Sequence, residues 1–355
     1  LAASGQVVLR TIYDPMTVPT ADGEWAPYLL ESVESNDTAT SFTLKLREGI
    51  TFHDGTALDS AVLKNNLDAW AGRYENQPSL LWSIAFEPID TIEVVDDLTV
   101  EVTTKVPWPA FPGYLNGGGR LGIMAQAQLD DTETCDRNLI GTGPYVLDEW
   151  MVNDRLTADR NPDYWATDEQ GNQLPYLDRI EFVPVVDSQN RVNGLTAGEY
   201  GAGMFRRAAP TEALEAESEA GNLAINQSVE GSQVAHLMLN HAKPPFDDPR
   251  AREAVALALD RDQYRQVVAL GTTELASGPF PPGSPGHLDD AGFPEHDLER
   301  ARELVSDYEE RTGSELEFSY LHSAIAEDTQ AAQFVQEQLE AAGMQVTLQP
   351  REQAT

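Results

Sequence analysis

The amino-acid sequence predicts an α/β fold, and three observations support this prediction. Strand-like and helix-like segments alternate, most clearly near the end of the chain, where Leu316–Leu321, Glu327–Ala342 and Gln345–Gln349 have the patterns of a strand, a helix and a strand. Gly343 follows the helix as a stop signal, and the two strands are expected to be parallel. Hydrophobic residues make up 41% of the 355 residues, enough to bury a sizeable core. This length is typical of two or three domains.

A strand, a turn and a helix are predicted early in the chain. Phe42–Leu46 alternates apolar with polar residues, which is the pattern of a half-buried strand. The turn His53-Asp54-Gly55 follows, and Thr56 with Asp59 gives the T-x-x-D pattern of a capping box. We therefore expect a helix capped at Thr56. Its apolar face repeats at helical spacing: Leu58, Val62, Leu63, Leu67 and Trp70.

Two hairpins and a glycine-rich loop are predicted next. Ile89–Val95 and Thr99–Thr104 flank Asp96-Asp97 and have the pattern of a hairpin. Tyr145–Trp150 is expected to pair with Arg155–Arg160. Between these hairpins, Gly117-Gly118-Gly119 indicates a loop.

The second half of the chain begins with a short predicted strand and a long predicted helix. Val234–Asn240 is apolar enough for a strand. Asp248 and Pro249 are typical of an N-cap and a first helical position, and the helix is expected to run to about Leu270. The later pair of parallel strands cannot bury both faces by itself, so we expect further sheet beside it.

Charge and cysteine content exclude several classes of function. Lys and Arg number 23 against 59 Asp and Glu, giving a formal net charge of −36. Nucleic-acid binding needs a basic face, and an anionic membrane surface would repel such a chain. Cys135 is the single cysteine, so an intrachain disulfide and a cysteine-rich zinc site are excluded. We expect no cofactor and no metal site. No G-x-S-x-G or H-E-x-x-H pattern occurs, and among 59 acidic residues a carboxylate pair carries no information.

Three segments in a fixed order carry a resemblance to a known family. They are Phe42–Gly55 (FTLKLREGITFHDG), Ile140–Trp165 (IGTGPYVLDEWMVNDRLTADRNPDYW) and Leu237–Arg261 (LMLNHAKPPFDDPRAREAVALALDR). In this order they resemble the large extracellular solute-binding proteins of peptide and nickel ABC importers, solute-binding family 5. The resemblance covers essentially the whole chain.

The resemblance gives the motifs structural roles. We interpret His53-Asp54-Gly55 as a strand-to-helix turn and not as a metal or catalytic pair. The glycine triplet of GTGPY lacks the Lys-Ser/Thr of a phosphate-binding loop and precedes a strand, so it is interpreted as a tight turn. Asn161-Pro162 with Tyr164-Trp165 is interpreted as a packing corner.

The resemblance implies a periplasmic-binding-protein-like fold of two lobes, of the type II, large peptide-binding class, with an inserted α+β subdomain. The implied segments are 1–40 (part of lobe I), 41–139 (the inserted subdomain), 140–240 (lobe I with a mixed sheet) and 241–355 (the first part of lobe II). Family members extend further at both ends, so this chain is expected to lack both.

The implied function is capture of a small solute between the two lobes and its delivery to the permease subunits of an ABC importer. The solute is expected to be an oligopeptide, a dipeptide or a metal chelate. The protein is expected to be a monomer, extracellular or periplasmic, and lipid-anchored as a lipoprotein in its full-length form. Two alternatives stay open: an enzyme, such as a hydrolase, using acidic residues in the cleft, and a protein that docks a chemoreceptor or acts as a chaperone through its outer surfaces.

Two candidate ligand-binding residues follow from resemblance to nickel-binding members. Trp82 stands at the spacing of an aromatic residue that packs on bound ligand. Arg120, after the triple glycine, stands near an arginine that pairs with a ligand carboxylate, which suits the planar guanidinium group. The alternative for Arg120 is pairing with a nearby Asp or Glu.

Five further candidates follow from resemblance to peptide-binding members. Phe205 and Arg206 stand where those members offer an aromatic residue to the ligand. Gln233, His236 and Met238 lie beside a crossover between the implied lobes. The alternatives are an exposed loop at Arg206, a solvated His236 and a core position for Met238.

Overall fold

The computed structural model describes residues 3–20, 22–75, 82–205, 211–226, 234–284 and 286–352. By its internal contacts the chain divides into unit 1, Leu1–Pro184, and unit 2, Val185–Thr355. Each unit contains a hydrophobic core of its own. The boundaries of the four segments implied by the resemblance differ from this division, and their assignment to lobes stays a prediction.

Unit 1 contains three antiparallel sheets within its described ranges. Its strands are β1 (Thr17–Pro19), β2 (Trp25–Pro27), β3 (Leu30–Ser35), β4 (Ser41–Leu46), β5 (Ile89–Asp96), β6 (Thr99–Thr104), β7 (Tyr145–Met151), β8 (Arg155–Arg160) and β9 (Arg179–Phe182). Its helices are α1 (Ala3–Ile12), α2 (Ser60–Trp70), α3 (Trp82–Ala85), α4 (Phe111–Tyr114) and α5 (Gln126–Asp130), and Gly117–Gly119 forms a 3₁₀ turn.

The largest sheet has the strand order β3-β4-β6-β5, and α2 packs on it. Apolar side chains of β4 and β6 alternate inward, so that Leu44 and Val102 are fully buried in the core of this unit. The predicted strand at Phe42–Leu46 and the predicted hairpin of Ile89–Val95 with Thr99–Thr104 are both confirmed. The second predicted hairpin is confirmed as β7 and β8, and β9 extends it to three strands.

The start of α2 differs from the prediction. The helix begins at Ser60, and the carboxylate of Asp59 accepts a hydrogen bond from the backbone N–H of Val62 at 2.9 Å. The Thr56 hydroxyl instead donates to Asp54 at 2.6 Å. The prediction that Thr56 caps the helix is wrong, because Asp54 offers this hydroxyl a partner inside the preceding turn.

Unit 2 has helices around a pair of parallel strands within its described ranges. The helices are α6 (Ser188–Thr196), α7 (Thr211–Glu219), α8 (Pro249–Ala258), α9 (Arg261–Val267), α10 (Leu298–Thr312) and α11 (Ala326–Ala341), and the strands are β10 (Glu317–Ser323) and β11 (Gln345–Arg351). The predicted β-α-β unit is confirmed, since β10 and β11 pair in parallel on either side of α11. The core joins this unit to α8 and α10.

Two predictions for unit 2 are wrong. Residues 234–240, which the structure describes, lie outside any strand. The helix predicted from Pro249 to about Leu270 is two helices, because Leu259 leaves the helical conformation and Asp260 caps α9 through the N–H of Gln263. Asp248 does cap α8 with Pro249 in its first turn, as predicted. In the described ranges, no helix has the length and apolar character needed to cross a membrane.

Candidate functional site

The segment Ile12–Asp14 is buried within unit 1. The exposed fractions of these side chains are 0%, 4% and 3% for Ile12, Tyr13 and Asp14. The N–H of Gly143 donates to the carbonyl oxygen of Ile12 at 2.9 Å. A Cβ atom at Gly141 would lie 2.1 Å from that same oxygen. The close approach of two backbones therefore accounts for the first glycine of GTGPY.

The Asp14 carboxylate joins the second motif to this segment. It accepts hydrogen bonds from the Thr142 hydroxyl at 3.1 Å, the Tyr164 hydroxyl at 3.0 Å and the Trp165 indole N–H at 2.9 Å. Burial raises the pKa of Asp14 to about 6, and these hydrogen bonds and the charge of Arg10 act in the opposite direction.

His53 joins the first motif to the second. Its Nε2 lies 3.0 Å from the carbonyl oxygen of Gly143, and its Nδ1 accepts a hydrogen bond from the N–H of Gly141 at 3.3 Å. These contacts match a neutral ring with the proton on Nε2, and burial lowers the pKa of His53. Asn161 donates to the same Gly143 oxygen at 3.1 Å. The contacts of His53 and Asn161 are those of packing residues that hold two chain segments together.

Trp82 and Arg120 both contact Gly117, Trp82 through its ring and Arg120 through its backbone N–H. Gly117 has φ of +58°, which favours glycine, and its carbonyl oxygen accepts a hydrogen bond from the N–H of Arg120 at 3.2 Å. A Cβ atom at Gly117 would lie 2.9 Å from Cη2 of the Trp82 ring. Both side chains are half-buried, and the buried Nε of Arg120 has no hydrogen-bond partner among the described residues.

Helix α1 contributes two polar contacts to this turn that the sequence did not predict. Gln6 donates to the carbonyl oxygen of Gly118 at 3.0 Å, and Arg10 donates to that of Asn116 at 3.3 Å. Their spacing of four residues places both on one face of α1, but this spacing does not predict which part of the chain that face contacts. No sequence pattern connects them to a loop more than a hundred residues away.

The described candidates of unit 2 have other surroundings. Phe205 packs against Arg191, whose guanidinium carbon lies 5.2 Å from the ring centroid. His236 is exposed, with Nδ1 3.1 Å from the carbonyl oxygen of Val234, and the Met238 side chain is 85% exposed. Met238 therefore does not occupy a core position, which was the alternative for this residue. Arg206 and Gln233 lie outside the described residues, and a single site formed by all seven candidates stays a prediction.

Two surface cavities of unit 1 lie away from the candidate residues. One, of about 500 Å³, is lined by residues that include His53, Arg137 and Trp150. The other, of about 390 Å³, is lined by tyrosine, proline and leucine side chains, including Tyr28 and Tyr176. Among the described residues, no group of three or more His, Cys, Asp or Glu side chains is placed to hold a metal ion.

Comparison with protein families gives one decisive match. The model of the family described as bacterial extracellular solute-binding proteins, family 5 Middle, matches residues 24–355. The chain belongs to this family. As a family 5 chain it is 30% identical over 346 residues to the glutathione-binding protein GsiB of Pectobacterium atrosepticum, covering 96% of this chain and 64% of that protein. It thus spans less than two thirds of the length of this relative.

Solved structures of similar fold support the α/β periplasmic-binding-protein assignment. The family 5 chain superposes on DppA from Helicobacter pylori, in complex with the peptide STSA, with a TM-score of 0.82 and 23% identity over 99% of this chain and 70% of that one. It superposes on NikA from Brucella suis, in complex with Fe(III)-EDTA, with a TM-score of 0.76 and 25% identity over 98% of this chain and 71% of that one. The predicted fold class is confirmed.

Proposed function

We propose that the whole protein is the extracellular solute-binding component of an ABC importer, which captures a small solute and delivers it to the permease subunits. Family membership supports this role. The observation that carries the proposal is the placement of Trp82 and Arg120 at one glycine-rich turn. An aromatic ring and a guanidinium group are side chains that suit a ligand offering both a surface for packing and a carboxylate.

The proposed ligand is a small solute with free carboxylates: an oligopeptide, a dipeptide or a metal chelate. The names of the similar proteins mention glutathione, a peptide and Fe(III)-EDTA, and all three molecules carry carboxylates. The planar guanidinium group of Arg120 is able to donate two parallel hydrogen bonds to such a carboxylate. The relatives are named as binding proteins and not as enzymes.

The proposal also covers location and assembly. The family is an extracellular one. We propose that the full-length protein is a monomer held outside the cytoplasmic membrane by a lipid anchor. Fractionation of host cells with globomycin-treated controls tests the anchor, and size-exclusion chromatography with light scattering tests the monomer.

Native mass spectrometry of the full-length protein, purified from its host without refolding, tests the proposed function. We expect a bound solute of small mass that is released on denaturation and contains at least one carboxylate. A thermal-shift panel of glutathione, dipeptides, oligopeptides and Ni²⁺–histidine then identifies its class. Turnover of a chromogenic substrate, with neither a co-purified solute nor a thermal shift, would contradict the proposed receptor function.

A further inference from the structure

Residues 6–17 of unit 1, which are buried from Thr11 onward, contact the chain on both sides of Gly117–Arg120, which we call the Arg120 turn. We call residues 6–17 the strap. Before Arg120, the strap binds the turn through Gln6 and Arg10, which donate to the carbonyl oxygens of Gly118 and Asn116 at 3.0 and 3.3 Å. Asn116 is itself buried. The near end of the turn is therefore bonded to the strap.

The strap also holds the chain that leaves the turn. A Cβ atom at Gly122 would lie 2.3 Å from Cβ of Tyr13, so the backbone of Gly122 packs directly against the Tyr13 side chain. The N–H of Ile123 points to the carbonyl oxygen of Asp14 at 3.4 Å. Arg120 thus lies between two points of attachment to the same segment. A shift of the strap would move both.

Asp14 is one of several residues that bind the strap to the rest of unit 1, together with Ile12, whose carbonyl oxygen accepts from the Gly143 N–H, and Tyr13, whose hydroxyl donates to Gln128 at 2.8 Å. Asp14 is the single acidic residue that is buried among the described residues, although the chain contains 59 Asp and Glu. Burying a carboxylate is costly unless hydrogen bonds satisfy it. Its two oxygens accept three hydrogen bonds, all from the second motif: Thr142 and Trp165 donate to Oδ2, and Tyr164 donates to Oδ1.

We propose that Asp14 is a positioning residue for the Arg120 turn: it locks the strap to the second motif and so fixes where the guanidinium group stands. This inference rests on the proposed function in one respect only, namely that Arg120 contacts the ligand. Asp14 itself lies buried behind the turn, and its effect on a ligand passes through Arg120. The family motifs GTGPY and NPDYW then support the binding turn as well as the core.

Hydrogen exchange of the full-length protein tests this role without a ligand. Asp14→Asn keeps the shape of the side chain but turns one accepting oxygen into a donor that faces the donors of the second motif. We expect the backbone amides of 116–123 to exchange about tenfold faster or more, the order expected for loss of a charge-assisted hydrogen bond. Thr142→Val, which removes one donor, should give a smaller increase in the same peptides.

The control is Asp148→Asn, which removes an exposed carboxylate that accepts hydrogen bonds from Thr157 and Arg179. It should leave exchange at 116–123 unchanged. Unchanged exchange there in both Asp14→Asn and Thr142→Val would overturn the proposal. So would an equal increase throughout unit 1, including α2, because that pattern is general destabilisation.

A double-mutant cycle with glutathione as the probe separates positioning from the proposed function. If Asp14 acts through Arg120, Asp14→Asn weakens glutathione binding about tenfold in the wild-type background and has little effect in Arg120→Gln. Equal weakening in both backgrounds overturns the positioning role. If wild type binds no glutathione while the exchange result holds, glutathione fails as the ligand and the positioning of the turn stands.

Discussion

Two titratable side chains, the buried Asp14 and the half-buried His53, flank the Gly141–Gly143 turn, and burial shifts their pKa values in opposite directions. The pKa of Asp14 is raised to about 6, and the pKa of His53 is lowered. In both cases burial favours the neutral form, because the surrounding protein solvates charge less well than water. The consequences for stability have opposite signs, so single variants are needed to separate them.

For Asp14 we expect the free energy of unfolding to fall as pH rises from about 4 to about 6. In this window the folded protein binds a proton at Asp14 that the unfolded chain has already lost, so the contribution of the protonated form disappears. The full effect is about 3 kcal/mol. Urea unfolding at several pH values measures it, and in Asp14→Asn this decline should be absent. A decline of the same size in Asp14→Asn would contradict the assignment.

For His53 the free energy of unfolding changes with pH in the opposite direction. Its folded pKa lies below the ordinary value, so its contribution is present above about pH 6.5 and is lost as pH falls through the lowered value. His53→Ala leaves the Gly141 N–H without its partner and should cost about 1–2 kcal/mol at neutral pH. The exposed His241 gives the matched variant His241→Ala, expected to change stability by less than about 0.5 kcal/mol. Equal effects of the two substitutions would contradict a packing role.

At the residue scale, the sequence could identify some roles and not others. The turn at His53-Asp54-Gly55 follows from local turn chemistry, and the structure has a turn there. Asp14 belongs to no local pattern, since its partners lie more than 120 residues away in the chain. Trp82 and Arg120 came from resemblance, and their shared turn depends on a tertiary contact with Gly117 that spacing does not encode.

At the scale of elements, α2 tests which residue begins a helix. Asp59→Ala removes the side chain that accepts from the Val62 N–H and should lower the free energy of unfolding by about 1 kcal/mol. Thr56→Ala removes a hydroxyl that bonds only within an exposed turn, so its effect should be within about 0.5 kcal/mol. Urea unfolding of both variants provides the comparison. A larger loss in Thr56→Ala would restore the capping role that the sequence predicted for it.

Elements with strong periodicity could be predicted, and their interruptions could not. The hairpin of β5 with β6 and the β10-α11-β11 unit follow from apolar alternation and helical spacing. The break at Leu259 lies inside a continuing apolar pattern, and Asp260 acts as a cap only because the chain turns there. The short apolar segment at 234–240 has the composition of a strand but no strand partner among the described residues.

At the scale of the whole molecule, the charge of −36 makes self-repulsion a property of the folded state. Added salt screens charges that lie farther apart than about 10 Å at 0.1 M ionic strength. We therefore expect Tm to rise by several degrees between roughly 20 mM and 500 mM NaCl. Differential scanning calorimetry in NaCl and in KCl measures it, and screening predicts equal shifts in both salts. A Tm that falls with either salt would contradict this interpretation of the charge.

The central claim is that the Arg120 turn binds a carboxylate-bearing solute. Isothermal titration calorimetry of the full-length protein tests this claim, with glutathione, a dipeptide, an oligopeptide and Ni²⁺–histidine as ligands. The proteins compared are wild type, Arg120→Gln and the control Arg155→Gln. Arg155 suits the control because it pairs with the exposed Glu149. We predict binding of at least one of these ligands, a Kd raised about ten- to a hundredfold in Arg120→Gln, and no change in Arg155→Gln. Binding of none of them to wild type, or an unchanged Kd in Arg120→Gln, would contradict the claim.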